Sequence, residues 1–301
     1  MEGKTIKLYL KDGNADGIIR CTMTGCSITV YKIPRSLVEN AKEMEDMSES
    51  GIYFLLGIDE DEKQCVYVGQ AGVRKNGNGV IGRILETHNK IDYWKEAIIM
   101  ISSSTYNIFG PTELNILENK FCNMAIKANR YRVVNGNDPN PGYYSDDKED
   151  EMNEIIIYSK MLISALGYKF LTPLDTGRQN LINNSHNNIV NMPTSINTDM
   201  MQIKFHIKGN KCTAEGMMTD DGFVVFKGSK MCEVEVPSCP LRTKNKRLAI
   251  MDRVTNWVLN EDIVFNSPSE ASSVMLGSSS NGKDDWVNDN GKSLGEIESM
   301  Q

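Results

Sequence analysis

The sequence predicts an α/β protein: a small mixed sheet flanked by helices, with a β-rich lead-in before it and a separate α+β domain after it. The apolar runs 52–56 and 65–68 are rich in β-branched and aromatic residues, and the charged segment 59–63 between them forms a hairpin turn. Residues 171–200 are rich in Asn, Ser and Thr, which is typical of a linker. The predicted order is a lead-in at 1–49, a first domain at 50–170, the linker at 171–200 and a second domain at 201–301.

The lead-in and the first domain consist of short strands and amphipathic helices. The lead-in has an alternating strand at 5–10, a second apolar run at 27–33 and a short helix at 37–44. After the hairpin the pattern predicts a helix at 80–88, a strand at 97–101, a helix after Pro111 that is the longest of residues 50–140, and a helix at 155–166. This alternation is typical of helices packed on a mixed sheet.

The second domain combines short strands with a well-marked helix start. Strands are predicted near 203–207 and 213–217 and after Gly222, separated by Gly and Asp turns. Ser267 and Glu270 have the spacing of a capping box, with a proline at the first helical position, so a helix begins there and ends near Gly277. Trp286 and the turn at Asn290-Gly291 then close the domain.

The charge distribution argues against strong DNA binding by the first domain alone. The chain has a net charge of -7, and residues 51–140 carry ten Lys or Arg against ten Asp or Glu. The basic residues expected to face a substrate follow the hairpin: Arg74, Lys75, Arg83, Lys90 and Lys95. The densest basic cluster lies in the second domain, at Arg242, Lys244, Lys246 and Arg247.

The cysteines and the apolar segments indicate a reducing compartment. Seven cysteines, an odd number, are scattered among apolar positions without the spacing of a zinc knuckle, which favours reduced thiols. The first residues lack the pattern of a signal peptide, and no apolar run is long enough to span a membrane. A cytoplasmic protein without a membrane partner is expected.

Two tripeptides carry the strongest motif. Gly51-Ile52-Tyr53 and Tyr67-Val68-Gly69 lie at the edges of the hairpin strands, and Arg83 and Glu118 follow in two predicted helices. This order resembles the GIY-YIG nuclease family, with Val68 where the family usually has isoleucine. The resemblance implies an endonuclease that hydrolyses DNA with Mg²⁺ or Mn²⁺.

The resemblance also implies roles for individual residues. Glu118 would be the lone protein ligand of one Mg²⁺, and Arg83 would contact the scissile phosphate. Tyr53 would be the general base, although a free phenol with a pKa near ~10 is a poor base at neutral pH, and Tyr67 would orient the water or a phosphate oxygen. His88 is a secondary candidate for proton transfer. Asn135, with Asn129 and Asn137 as competitors, would help to hold the site together.

The last hundred residues resemble a domain of unknown function that often follows GIY-YIG modules, and they are similar to the RAMA domains of restriction and methylation systems. This similarity implies substrate recognition, in a bacterial defence or DNA-processing setting. A homo-oligomer and a partner from a modification system both stay open. The alternative function is a catalytically idle module that binds nucleic acid or protein on a nuclease scaffold.

Overall fold

The computed structural model describes residues 3–73, 79–86, 94–103, 107–135, 139–174, 203–208 and 212–300. The chain divides into two compact units, residues 1–173 and residues 174–301. Each unit contains both helices and sheet, which confirms the predicted α/β class. None of the helices in these described ranges has the length and the apolar character that crossing a membrane requires.

The first unit is built on a seven-stranded sheet in the order β1-β2-β3-β6-β4-β5-β7. Neighbouring strands are antiparallel, except that β5 and β7 are parallel. The strands are β1 (Ile6–Leu10), β2 (Ile19–Met23), β3 (Ile28–Pro34), β4 (Gly51–Ile58), β5 (Gln64–Ala71), β6 (Trp94–Ser102) and β7 (Arg132–Val133). The strands of the expected lead-in are therefore part of the same sheet, because β3 pairs with β6 along its length.

Helices cover both faces of this sheet, so the central strand β4 is buried on both sides. On one face α3 and α4 pack against alternate residues of β4 such as Phe54. On the other face α1, α2 and the 3-10 turn Glu45–Ser48 pack against Tyr53 and Leu55. The helices are α1 (Val38–Ala41), α2 (Val80–Leu85), α3 (Pro111–Ala128) and α4 (Asp146–Ala165).

Two of the predicted helix boundaries are wrong. Helix α2 ends at Leu85, before His88, because Glu86 is already extended, with a ψ of 140°. Helix α4 begins at Asp146, nine residues before the predicted start at 155. Helix α3, with 18 residues, is longer than α2, as predicted for residues 50–140. The acidic segment forms the first turns of α4, where carboxylates interact favourably with the helix dipole. An ion pair between Lys120 and Glu149, at 2.6 Å, also joins α3 to this part of α4.

The second unit contains a five-stranded antiparallel sheet in the order β13-β10-β9-β8-β14 and a two-stranded ribbon, β11 with β12. The strands are β8 (Lys204–Lys208), β9 (Thr213–Thr219), β10 (Gly222–Val225), β11 (Val254–Thr255), β12 (Val258–Leu259), β13 (Ile263–Phe265) and β14 (Val287–Asn288). The helices are α5 (Leu241–Ala249), α6 (Pro268–Leu276), α7 (Gly282–Asp285) and α8 (Leu294–Ser299). Most of the predicted linker, from residue 175 to 200, lies outside the described residues.

The predicted helix start in the second unit is confirmed, although the Glu270 carboxylate accepts from the Asn266 amide and not from that of Ser267. The Ser267 hydroxyl accepts a hydrogen bond from the Glu270 amide at 3.1 Å, and Gly277 ends the helix with a φ of 67°. Trp286 is fully buried against this helix, and its indole N–H donates to the Pro268 carbonyl at 3.0 Å. The helix start and the tryptophan therefore stabilise one core.

Candidate active site

The two tyrosines lie on the same face of the β4–β5 hairpin. The antiparallel register pairs Tyr53 with Gly69 and Leu55 with Tyr67, which makes the tyrosines diagonal neighbours. Their ring centroids are 6.2 Å apart, and the ring planes are inclined by 34°. The hairpin that the sequence predicts thus brings the two tyrosines of the motif together.

Gly69 leaves the space that the Tyr53 ring occupies. A Cβ atom at position 69 would lie 2.4 Å from Cζ of Tyr53 and 2.5 Å from its hydroxyl oxygen. At Gly51 a Cβ atom would lie 2.3 Å from the carbonyl oxygen of Met100 on the neighbouring strand β6. Both glycines of the motif therefore permit close approaches that a side chain would prevent.

Arg83 reaches the tyrosines from helix α2. The start of this helix is pressed against the 3-10 turn Glu45–Ser48: the Val80 amide donates to the Glu49 carbonyl at 2.9 Å, and a Cβ atom at Gly79 would lie 2.0 Å from the Ser48 carbonyl oxygen. The half-buried guanidinium of Arg83 pairs with the Glu86 carboxylate at 2.5 Å.

Glu118 lies on helix α3, and side-chain amides of β5 and α3 hold its carboxylate in place. Its half-buried carboxylate accepts a hydrogen bond from Gln70 Nε2 at 2.9 Å, and the same amide donates to Asn115 Oδ1 at 2.6 Å. Burial raises the pKa of Glu118, while the hydrogen bond from Gln70 and the charge of Arg83 oppose that rise. A further cation nearby would stabilise the ionised form of such a carboxylate.

Both phenols are hard to ionise in this environment. Tyr53 has no exposed surface, and burial is the main reason that its pKa lies far above the ordinary value, although the hydrogen bond and charge of Arg83 lower it. Burial and then the Glu118 carboxylate raise the pKa of Tyr67, which is partly exposed. The mutual influence of Tyr53, Tyr67, Arg83 and Glu118 shows that the structure brings these four predicted residues together.

Asn135 extends the sheet edge beside Tyr67. Its side chain accepts from the Val68 amide at 3.0 Å and donates to the Val68 carbonyl at 2.7 Å, as a neighbouring strand would. Strand β7 pairs only with Cys65 and Val66 in the described residues, so Asn135 continues the pairing of β5 where β7 ends. Asn129 instead caps α3 in the left-handed conformation, with a φ of 50°, and Asn137 lies outside the described residues.

Several predicted basic residues are not placed at this site. His88, Arg74, Lys75 and Lys90 lie outside the described residues. The expectation for Lys95 is wrong, because it lines a cavity with Gly57 and Tyr168 near the hairpin tip, whereas Tyr53 lies several residues further along the sheet.

Arg247 is also not available to a nucleic acid. Its side chain is 3% exposed, lies 3.1 Å from the Glu235 carboxylate and donates to the Cys232 carbonyl at 2.6 Å and to the Val274 carbonyl. The predicted basic cluster is therefore wrong for this residue, which holds the core of the second unit together. Arg242, Lys244 and Lys246 remain partly or fully exposed.

The donor set around Glu118 fits an ion that binds one protein carboxylate and keeps most of its waters. The described residues contain no group of three or more His, Cys, Asp or Glu side chains that could form a metal cage. Mg²⁺ does not need such a cage, because it is commonly held by one or two carboxylates and by phosphate oxygens of the substrate.

Three residues around the site were not predicted from the sequence: Gln70, Asn115 and Glu86. For Gln70 a signal was available, because it directly follows Tyr67-Val68-Gly69.

Residues 205–298 match the model of a domain of unknown function (DUF4357). This match lies within the second unit and ends close to its last described helix. No curated protein and no solved structure matches the chain.

Proposed function

We propose that the protein is a Mg²⁺-dependent DNA endonuclease of the GIY-YIG type. The observation that carries the proposal is that Tyr53, Tyr67, Arg83 and Glu118 come from four different elements and influence one another's ionisation. Polar groups from different elements that lie within interaction distance of one another and have shifted pKa values are typical of a catalytic site.

Phosphodiester hydrolysis requires positive charge at the phosphate and a group that positions the attacking water. The Arg83 guanidinium is permanently charged, and its planar fork suits a phosphate oxygen. It now pairs with Glu86, so substrate phosphate would compete with that carboxylate. The side chain is half exposed, so a substrate phosphate would have access to it.

Glu118 is the residue that would hold the metal. Gln70 donates to one carboxylate oxygen, Oε2, and thereby fixes the orientation of the group. Mg²⁺ bound there would supply the positive charge that neutralises a substrate phosphate. The same charge would favour the ionised form of Glu118, against the effect of burial.

The tyrosines would divide the remaining work. Tyr53 as general base must lose its proton in a buried environment, so the hydrogen bond and charge of Arg83 are essential to this role. Tyr67 is partly exposed, and Tyr53 lowers its pKa through a hydrogen bond, so its hydroxyl can orient water or a phosphate oxygen. Asn135 would position Tyr67 through the backbone of Val68.

The second unit would supply DNA affinity or sensing of modified DNA. The first unit lacks an excess of basic residues in its sheet and helices, whereas Arg242, Lys244 and Lys246 lie on one short helix, α5. Phosphate contacts from such a helix would add salt-dependent affinity.

Two observations favour a second function, a binding module without catalysis. The Arg83 guanidinium is engaged with Glu86 at 2.5 Å, and Tyr53 is fully buried. A scaffold that has lost its chemistry could keep both features for stability. In that case the chain would bind DNA and leave it intact.

Cleavage of supercoiled plasmid in the presence of Mg²⁺ tests the proposal. The full chain should nick or linearise the plasmid, chelation of the metal should stop the reaction, and Glu118→Gln should slow it by roughly 10²-fold or more. Glu113→Gln is the matched control, because Glu113 lies on the same helix but pairs with Lys148 at 3.1 Å. DNA binding without cleavage by the unmodified chain would favour the idle module.

A further inference from the structure

The strand β1 is an exposed edge of the seven-stranded sheet. It pairs with β2 on one side, and no strand of the described chain pairs with its other side. Leu8 is 50% exposed, Tyr9 55% and Leu10 36%. An apolar edge strand without a proline or a bulge offers its free N–H and C=O groups to another strand.

We propose that this edge pairs with β1 of a second copy of the chain, antiparallel and about a two-fold axis at Leu8. A closed pair of identical strands must be antiparallel, and each residue then faces its counterpart reflected about position 8. A parallel pair in register would instead place Lys7 directly against Lys7, which is destabilising.

The sequence of the strand is complementary to itself in this register. On one face Leu8 meets Leu8, and Ile6 of each copy meets Leu10 of the other. Ile6 already packs partly against the core of the unit, so this face would extend an existing apolar surface. At each end of the paired strands, Lys4 of one copy meets the turn that carries Asp12 of the other, so opposite charges are adjacent.

The opposite face of the strand pairs Lys7 of one copy with Tyr9 of the other. There Lys7 of the second copy lies beside Tyr9, whose ring already contacts the Arg20 guanidinium at 5.1 Å. A cavity of about 220 Å³ next to Tyr9 is lined by Lys11 and Arg20 as well as by Glu45 and Asp46, so its charges are balanced within one copy. Lys7 of the second copy would therefore lie over the exposed ring of Tyr9, an arrangement that a cation and an aromatic face favour.

This dimer would leave the candidate active sites accessible. In the strand order, β4 and β5 lie near the opposite end of the sheet from β1. The pairing involves none of the residues of the candidate active site. The proposal therefore does not depend on the nuclease function, and it can fail or succeed independently of that function.

Sedimentation of the full chain across a concentration range tests the pairing. We expect a reversible monomer–dimer equilibrium, and Leu8→Lys should raise its dissociation constant by about tenfold or more, because it places two ammonium groups on the symmetry axis. Leu241→Lys is the control, since Leu241 is 73% exposed in the second unit. A chain that stays monomeric, or a dimer that weakens with Leu241→Lys and not with Leu8→Lys, would overturn the proposal.

Charge reversal at the strand ends gives a second test with a built-in rescue. Lys4→Asp alone and Asp12→Lys alone should each weaken the dimer, because each places like charges together. The double variant, and an equal mixture of the two single variants, should restore association toward that of the unmodified chain. Circular dichroism confirms that all variants fold. Absence of rescue in both the double variant and the mixture would exclude this register.

Discussion

Substitution of Gly69 by alanine should displace the Tyr53 ring and so damage both stability and activity. The new Cβ atom would lie 2.4 Å from Cζ, 2.5 Å from the hydroxyl oxygen and 2.8 Å from Cε2 of Tyr53. The ring cannot simply move away, because Tyr53 is fully buried in the core that α2 covers. The side chain or the paired strand must therefore shift.

The size of the effect follows from two opposing contributions. Overpacking of a core costs about 1–3 kcal/mol, while the loss of glycine from a strand interior returns about 0.5–1 kcal/mol. The net loss in the free energy of unfolding should lie between about 0 and 2.5 kcal/mol, centred on about 1 kcal/mol. For a unit of this size, a loss of about 1 kcal/mol corresponds to a fall in Tm of about 2–4 °C.

Thermal unfolding and plasmid cleavage measure the two consequences. Gly72→Ala is the matched control, because a Cβ atom at Gly72 would meet no atom within 4 Å. Combining Gly69→Ala with Tyr53→Leu removes the ring atoms involved, so the cost of the alanine should largely disappear in that background. Equal costs in both backgrounds, or an effect no larger than that of Gly72→Ala, would refute the reasoning.

Three further predictions concern residues that support the two units. Asn135→Ala removes both hydrogen bonds to the backbone of Val68 and should lower the free energy of unfolding by about 1–3 kcal/mol, measured by chemical denaturation. Arg247→Met leaves a carboxylate and two backbone carbonyls without their partner and should cost about 3–5 kcal/mol, whereas the partly exposed Lys246→Met should change stability little; equal effects would contradict the structural role of Arg247. Because burial raises the pKa of Glu118 in the folded state, its stabilising contribution is present at acidic pH and is lost as the pH rises through that pKa. Glu118→Gln should therefore raise Tm at neutral pH relative to the unmodified chain and leave it nearly unchanged at strongly acidic pH, and a gain of equal size at both pH values would contradict this account.

The sheet and the register of the motif follow from local patterns in the sequence. The β-branched and aromatic runs around Tyr53 and Tyr67 fix the hairpin, and the period of two places both tyrosines on one face. The capping residues Ser267 and Gly277 similarly fix the two ends of a helix in the second unit. These features depend on neighbours close in sequence, so local reasoning finds them.

The remaining features depend on contacts between distant segments. The pairing of β3 with β6, which joins the lead-in to the sheet, and the bond from Gln70 to Glu118 have no local pattern. The burial of Arg247 likewise does not follow from the pattern of its helix, because the leucines of that helix, Leu241 and Leu248, are each 73% exposed.

The most direct test of the central claim is the single-turnover rate of DNA cleavage for Arg83→Ala, Glu118→Gln and the double variant, beside the unmodified chain. If these residues form one catalytic unit, each single change should slow cleavage by roughly 10²-fold or more, and the double variant should be little slower than the worse single variant. Unchanged rates in the single variants, or losses that multiply in the double variant, would contradict a single active site built from the four residues.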